Sequence, residues 1–254
     1  MSDKLSINKY KLIAYFTSFT TIAVLWWIIS ITLRIIFLPD PLSVISYTIN
    51  SISSGKIIPH IIASLFRVII SIIVAVSVAL FLGLVLGYYN KLDALFTPLI
   101  MLLYPIPHII LLPILILWLG LGNASKVALI SIIIFFPLFI QIRDSARRMA
   151  KNYVDLLLAM GAKKYELIRY GTLPSTLPSL LTALKIASST AFAVLFIVES
   201  IASSDGLGYL IIDAWQRVSY IEMYSAIVIM ALLGMLFYTF FSVLEHMFCK
   251  WINH

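Results

Sequence analysis

Long, uninterrupted apolar segments are the feature that most restricts how this chain can fold. The segment from Pro59 to Tyr88 contains one charged residue, Arg67, and comparable segments recur along the sequence. About 20 apolar residues in a helix span the hydrocarbon core of a bilayer. The runs are continuous rather than alternating, which favours helices over a membrane barrel. With 62% hydrophobic and 11% charged residues, the chain cannot be an ordinary soluble enzyme or a disordered protein. The sequence predicts an all-α membrane protein.

Six membrane spans are predicted from the apolar segments and the polar or proline-rich residues between them. They cover residues 12–37, 59–88, 92–119, 125–142, 176–200 and 220–248. The first is too long for the apolar part of a signal peptide and is predicted to be retained. Residues 42–58 are mixed in polarity, which indicates an interfacial segment with an amphipathic helix. The third span contains four prolines, so it is either a kinked helix or a broken one that lines a path.

The basic residues are distributed unequally between the two sides of this predicted membrane domain. Six spans place both termini on one side, and cytoplasmic segments carry an excess of Lys and Arg. Twelve basic residues lie on the side of the termini and four on the other, with Arg67 and Lys185 inside spans. We therefore predict a cytoplasmic N-terminus over residues 1–11, a permease domain over residues 12–254, and a cytoplasmic loop over residues 143–175. The net charge of +7 then reflects topology rather than nucleic-acid binding.

Sequence motifs for catalysis and nucleotide binding are absent. The chain contains no G-x4-G-K-[ST], H-E-x-x-H or G-x-S-x-G pattern. Its single cysteine, Cys249, cannot form an internal disulfide, and its four histidines are far apart in the sequence. We therefore predict that the chain is not an enzyme and holds neither a metal ion nor another cofactor.

The loop over residues 143–175 is the most informative polar segment, with seven basic and three acidic residues. Two short helical stretches flank Gly161, which suits a helix C-cap in the left-handed conformation. Lys163 and Lys164 begin the second stretch, and Pro174 directs the chain into the fifth span. Two interpretations remain open from these residues alone: a docking surface for a cytoplasmic partner, or a basic loop that only sets topology.

The same loop resembles the EAA loop of permeases from ATP-binding-cassette (ABC) importers, with the pattern E-A-A-x3-G-x9-I-x-L-P. Asp155, Gly161, Leu173 and Pro174 stand at the spacings of that pattern. The sequence departs from it at Leu156, Leu157 and Gly171. The resemblance implies that Asp155, Gly161, Ala162, Leu173 and Pro174 couple the chain to an ATPase.

Further stretches, in order from about Leu38 to Trp251, resemble the nitrate/sulfonate/taurine permeases. They are Ala63–Arg67, Pro105–Pro107, Leu112–Gly122, Phe136–Pro137, Leu184–Ala187, Val198–Glu199, Gly206–Ile211 and Glu245 with Lys250 and Trp251. This resemblance implies a type I ABC-importer permease fold with six transmembrane helices. It also implies a homodimer in the cell membrane, an extracytoplasmic substrate-binding protein, and two cytoplasmic ATPase subunits that bind ATP and Mg²⁺. Related permeases carry pyrimidine-type vitamin precursors, so that cargo is the alternative to nitrate, a sulfonate or taurine.

A polar and aromatic stripe follows one face of the fifth span. Lys185, Ser189, Phe192, Phe196 and Glu199 recur at helical spacing and share that face. Intramembrane charges usually face a bundle interior or water. We interpret the stripe as lining the translocation path, with the two phenylalanines as a constriction; helix packing is the alternative. Arg67 lies near the end of its span and is predicted to snorkel or to pair locally.

A secondary transporter or channel that works without an ATPase is the alternative from another class. Such a protein would use residues 143–175 only as a linker. Inverted repeats would support it, and the sequence shows none.

The charge distribution predicts the orientation of the chain in the membrane. In a Cys249→Ser background, Arg217→Cys should react with an impermeant maleimide in intact cells, and Lys163→Cys should react only after lysis. Mass-tag labelling of each variant, before and after lysis, measures this. Labelling of Lys163→Cys in intact cells would reverse the predicted orientation.

Overall fold

The computed structural model describes residues 2–33, 36–148 and 156–249, and these ranges contain helices and no strands. We number the main helices in chain order. They are α1 Ser2–Leu33, α2 Pro41–Ser53, α3 Ile58–Tyr88, α4 Asn90–Leu103, α5 Leu112–Leu119, α6 Asn123–Arg147, α7 Leu173–Ala202, α8 Leu207–Gln216 and α9 Tyr220–Phe248. The predicted all-α class is confirmed.

Four of the predicted spans correspond to single helices that are long and apolar enough to cross a membrane. They are α3, α6, the continuous helix Arg169–Ala202 that contains α7, and α9. The predicted sixth span, residues 220–248, has the same bounds as α9. The fourth extends five residues past its predicted end, because α6 continues to Arg147. Within α1, the structure describes an apolar helical segment, Thr20–Leu33, that covers part of the first predicted span.

The third predicted span is broken rather than kinked. Helix α4 and the segment His108–Leu119 meet at an angle of 84°. Pro105 and Pro107 lie in the connection, and proline cannot supply a backbone N–H donor or follow a helical residue without a clash. Pro98 lies inside α4 and is tolerated there. Together the two halves are long and apolar enough to form one broken span or a re-entrant loop.

Helices α3 and α6 run side by side in the same direction and pack closely against each other. Near the start of α6, the hydroxyl of Ser71, midway along α3, donates to the carbonyl of Val127. Near their ends, a Cβ atom built on Gly87 would lie 2.6 Å from Cβ of Ala146. Small residues permit such close approach of helix backbones in membranes, where apolar burial alone does not drive helices together.

Helices α2 and α8 lie at the end of the bundle where α3 and α6 begin. The Asp40 carboxylate caps α2 by accepting from the backbone N–H groups of Leu42 and Ser43, and a hydrogen bond from the Ser43 hydroxyl lowers the pKa of Asp40. Thr48 in α2 donates to Ser225 in α9 over 2.8 Å. The helix predicted within residues 42–58 is therefore α2, and the polar segment before the last span contains α8.

Candidate functional site

The middle of the predicted stripe lines an open groove between α7 and α9. Ser189, Phe192 and Phe196 contribute from α7, and Met230 and Gly234 from α9, to a volume of about 520 Å³. The side chain of Phe192 is only 5% exposed. Its ring lies over Gly234, which leaves room for it, and contacts Phe237 edge-on with 5.4 Å between ring centroids. The groove wall is therefore apolar and well packed.

Lys185 lies at one end of the stripe and is held by the last helix. Its ammonium forms an ion pair with Glu245 of α9. The neighbouring Thr182 hydroxyl donates to the other oxygen of Glu245 at 2.5 Å. The positive charge at this end is therefore compensated within the chain, and the contact joins the first half of α7 to the end of α9.

Glu199 lies on the same helix face in the sequence pattern, but the structure does not place it in the groove. Its side chain is 0% exposed and pairs with Arg67 of α3 over 2.6 Å. The carboxylate also accepts from the Ser64 hydroxyl at 2.9 Å and from the backbone N–H of Gly208 at 2.8 Å. A buried charge is tolerated when it is paired and hydrogen-bonded in this way, and these partners draw Glu199 away from the proposed path.

Arg67 is the centre of this buried cluster. Of the two predicted alternatives for its side chain, snorkelling is wrong and local pairing is confirmed. Its side chain is 1% exposed, and its guanidinium reaches three other parts of the chain. It donates to Asn123 of α6 at 2.8 Å, to Glu199 of α7, and to the carboxylate and carbonyl of Asp205 in the connection before α8. The planar guanidinium has enough donors to bind all three.

The backbone of the connection before α8 passes close to the buried carboxylate of Glu199. Gly206 has φ of +104°, and a Cβ atom built there would lie 2.4 Å from the carboxylate carbon of Glu199. Partial burial disfavours ionisation of Asp205, but hydrogen bonds and charge from the Arg67 guanidinium outweigh it and hold the pKa of Asp205 below its usual value. Sequence reasoning singled out Arg67 and Glu199 but missed Ser64, Asn123 and Asp205, which approach them only in the fold.

The second candidate region is the helix–turn–helix segment, of which residues 156–172 are described. The N–H of Ala162 donates to the carbonyl of Leu157, and the N–H of Gly161 to that of Leu158. This is the Schellman arrangement, which requires a left-handed residue. Gly161 has φ of +83°, so its predicted role as a helix C-cap is confirmed.

The next stretch begins at Lys164, as predicted, and is capped by Glu166, whose carboxylate accepts from the N–H of Lys163 at 2.6 Å. Leu167–Thr172 form a π-helical turn, and α7 then begins at Leu173 with Pro174 in its first turn. Asp155, the remaining predicted coupling residue, lies outside the described residues.

Comparison with known proteins identifies the family of this chain. The family model "Binding-protein-dependent transport system inner membrane component" matches residues 76–254. SsuC of Bacillus subtilis, named for aliphatic sulfonate transport, is 27% identical over 85% of this chain and 78% of its own length. TauC of Escherichia coli, a taurine transport permease protein, is 26% identical over 92% of this chain and 89% of its own. ThiX of Halalkalibacterium halodurans, a formylaminopyrimidine transport permease protein, is 30% identical over 84% and 85%.

Solved structures of the MetNI methionine ABC transporter, in inward-facing conformations, have the same fold. One crystal form matches with a TM-score of 0.62 and 18% identity, over 73% of this chain and 93% of that chain. A second matches with a TM-score of 0.63 and 17% identity, over 76% and 95%. The predicted type I permease fold and the resemblance to sulfonate and taurine permeases are confirmed.

We expect a large loss of stability when the charge of Glu199 is removed without a change in the size of its side chain. Glu199→Gln should lower the free energy of unfolding by about 3–5 kcal/mol, because it leaves Arg67 with one fewer compensating charge in a buried site. Thermal unfolding in detergent measures the loss. Asp213→Asn, which breaks an exposed pair with Arg217, is the control and should change little. Equal midpoints of thermal unfolding for Glu199→Gln and Asp213→Asn would show that the buried pair of Arg67 and Glu199 does not hold the helices together.

Proposed function

The chain belongs to the family of binding-protein-dependent transport system inner membrane components, and we propose that it works as a homodimer. Two cytoplasmic ABC ATPase subunits and an extracytoplasmic substrate-binding protein complete the proposed importer. The match over residues 76–254 carries this proposal. ATP and Mg²⁺ bind to the ATPase subunits, while this chain supplies the path, has no catalytic role and needs no cofactor. Its termini lie in the cytoplasm, as the excess of basic residues on their side favours.

The proposed cargo is a small organic anion of the sulfonate class. The names of SsuC and TauC support this class. The groove beside Ser189 is mostly apolar, and such a wall favours a cargo with an aliphatic part over bare nitrate. A pyrimidine-type vitamin precursor is the second candidate, because ThiX is 30% identical and the partly exposed Phe196 offers aromatic surface for a ring.

The helix–turn–helix segment is the proposed contact with the ATPase. Asp155, Gly161, Ala162, Leu173 and Pro174 belong to it by their match to the EAA pattern. Exposed apolar side chains support a docking role: Met160 is 76% exposed and Tyr165 is 66% exposed. The segment continues without a break into α7, so a displacement imposed by the ATPase would reach the groove wall directly.

The proposed path follows Ser189, Phe192 and Phe196 along the groove, with Lys185 at one end. We leave Glu199 out of the path because its carboxylate is enclosed by Arg67, Ser64 and Gly208. In the proposed homodimer, the grooves of two copies face each other across the path. Phe192 and Phe196 of each copy would then close the path and block the leakage of ions between transport cycles.

Uptake into proteoliposomes tests the proposed function. The chain is reconstituted with its ATPase subunit, ATP is enclosed, and radiolabelled taurine or an alkanesulfonate is supplied with the binding protein. Uptake should require both ATP and the ATPase, and unlabelled alkanesulfonate should compete more strongly than formylaminopyrimidine. The reverse order of competition would favour the vitamin precursor. Uptake without the ATPase would overturn the proposal in favour of a secondary transporter or channel.

The aromatic constriction predicts a leak when it is widened. Phe192→Ala combined with Phe196→Ala should allow ion leakage or raise ATP hydrolysis without uptake, because two large side chains leave the groove wall. Fluorescent-dye leakage from proteoliposomes measures this. Phe241→Ala is the control, since Phe241 is also buried in the core but does not line this groove. A destabilised double variant with tight, coupled transport would show that the two phenylalanines only pack.

We expect a side chain at Gly161 to uncouple ATP hydrolysis from uptake and to leave the membrane fold intact. Gly161→Val should cost about 1–2 kcal/mol of local backbone strain and redirect the stretch that begins at Lys164. Binding of the ATPase or the uptake per ATP hydrolysed should fall. Gly55→Val is a matched control, because Gly55 also has positive φ and open surroundings but lies between α2 and α3. Normal binding and transport by Gly161→Val would remove the coupling role from this segment.

A further inference from the structure

A second buried ion cluster lies at the opposite end of the bundle from Arg67. Asp93, in the first turn of α4, is 4% exposed. Its carboxylate accepts from Nε and Nη2 of Arg143 at 2.6 and 2.5 Å. It also accepts from Arg147 and, at 2.6 Å, from the Thr97 hydroxyl. We call Asp93, Arg143 and Arg147 the α4–α6 clamp.

The clamp joins α4 to the end of α6, the last helix before the proposed coupling segment. Arg143 and Arg147 lie one turn apart near the end of α6, and the chain continues from there toward the helix–turn–helix. Helix α3 is fixed at the same place, because a Cβ atom on Gly87 would lie 2.9 Å from the carbonyl oxygen of Arg143. The ends of α3 and α6 and the start of α4 therefore meet around Asp93.

The position of α4 relative to α6 is held rigidly by the clamp, and every contact of the clamp uses the carboxylate of Asp93. The paired contacts from Arg143 fix the angle between guanidinium and carboxylate as well as their distance. A second carboxylate, Asp144, also accepts from Arg143 at 2.7 Å, but it lies next to Arg143 in the same helix. Of these two acidic residues, only Asp93 connects α6 to another helix. Loss of its charge would leave two guanidinium groups without a common partner.

We propose that Asp93 is a positioning residue for transport, which makes α4 move with α6 when the ATPase displaces the coupling segment. This inference rests on the proposed function of the chain. Without the clamp, a displacement at residues beyond Arg148 would be absorbed by bending between α6 and α4. When the clamp is intact, the displacement of α6 is passed to α4 and, through α4, to the 84° break of the third span.

The ratio of ATP hydrolysed to substrate imported tests the proposal in the reconstituted complex. Asp93→Asn should still bind the ATPase, but its ratio should rise severalfold, because part of each displacement of α6 no longer reaches α4. Asp144→Asn is the matched control, because it removes a carboxylate from the same arginine without separating helices. Asp93→Glu should restore part of the coupling. A normal ratio in Asp93→Asn would overturn the proposal.

A second variant decides the case in which Asp93→Asn does not fold. Arg147 is half exposed, so Arg147→Gln should fold while losing one of the two clamp contacts. Its ATP-to-substrate ratio should lie between those of the wild type and an uncoupled complex. A wild-type ratio for Arg147→Gln, with Asp93→Asn unfolded, would assign Asp93 a purely structural role and overturn the proposal.

A distance measurement separates this inference from the proposed function, because it needs no ATPase. Spin labels at the exposed positions Lys91 and Arg148, in a Cys249→Ser background, report the separation of α4 and α6. Asp93→Asn should broaden the distance distribution, and Asp144→Asn should leave it narrow. An unchanged distribution in Asp93→Asn would overturn the clamp even if uptake is ATP-driven. Absence of ATP-driven uptake by the wild type would instead overturn the proposed function.

Discussion

The arrangement of helices depends on the burial of one guanidinium group, that of Arg67. A charged group can remain at 1% exposure in an apolar bundle only with compensating charge and hydrogen bonds. Glu199, Asn123 and Asp205 supply them from α7, α6 and the connection before α8. These contacts fix three helices and the position of α8 together. Because the carboxylate of Glu199 is committed to this cluster, it is unavailable to the groove on the same helix.

The bundle is therefore held by polar clusters at its two ends, with an apolar groove between them. In lipid, apolar side chains gain little by leaving the bilayer for another helix, so hydrogen bonds, ion pairs and close packing of small residues determine which helices associate. Arg67 anchors one end and Asp93 the other. The groove at Phe192 lies between these fixed ends, which suits a path that must open and close without dissociation of the bundle.

Features set by local sequence could be predicted, and features set by distant contacts could not. The bounds of α9 and the left-handed turn at Gly161 follow from nearby residues. The prolines of the third span indicated a kink or a break, but the angle of 84° depends on packing. Helical spacing placed Glu199 with Phe196, yet it could not reveal Arg67, 132 residues away. Asp93 gave no signal because its arginine partners lie on another helix.

We propose that this chain is the membrane-spanning subunit of an ATP-driven importer and that a separate ATPase subunit hydrolyses the ATP. The most direct measurement is the mass of the complex isolated from membranes through a tag on this chain, by native mass spectrometry in mild detergent. We expect two copies of the chain with two copies of an ABC ATPase. Isolation of the wild-type chain without an ATPase, under conditions that preserve a known ABC importer, would contradict the account.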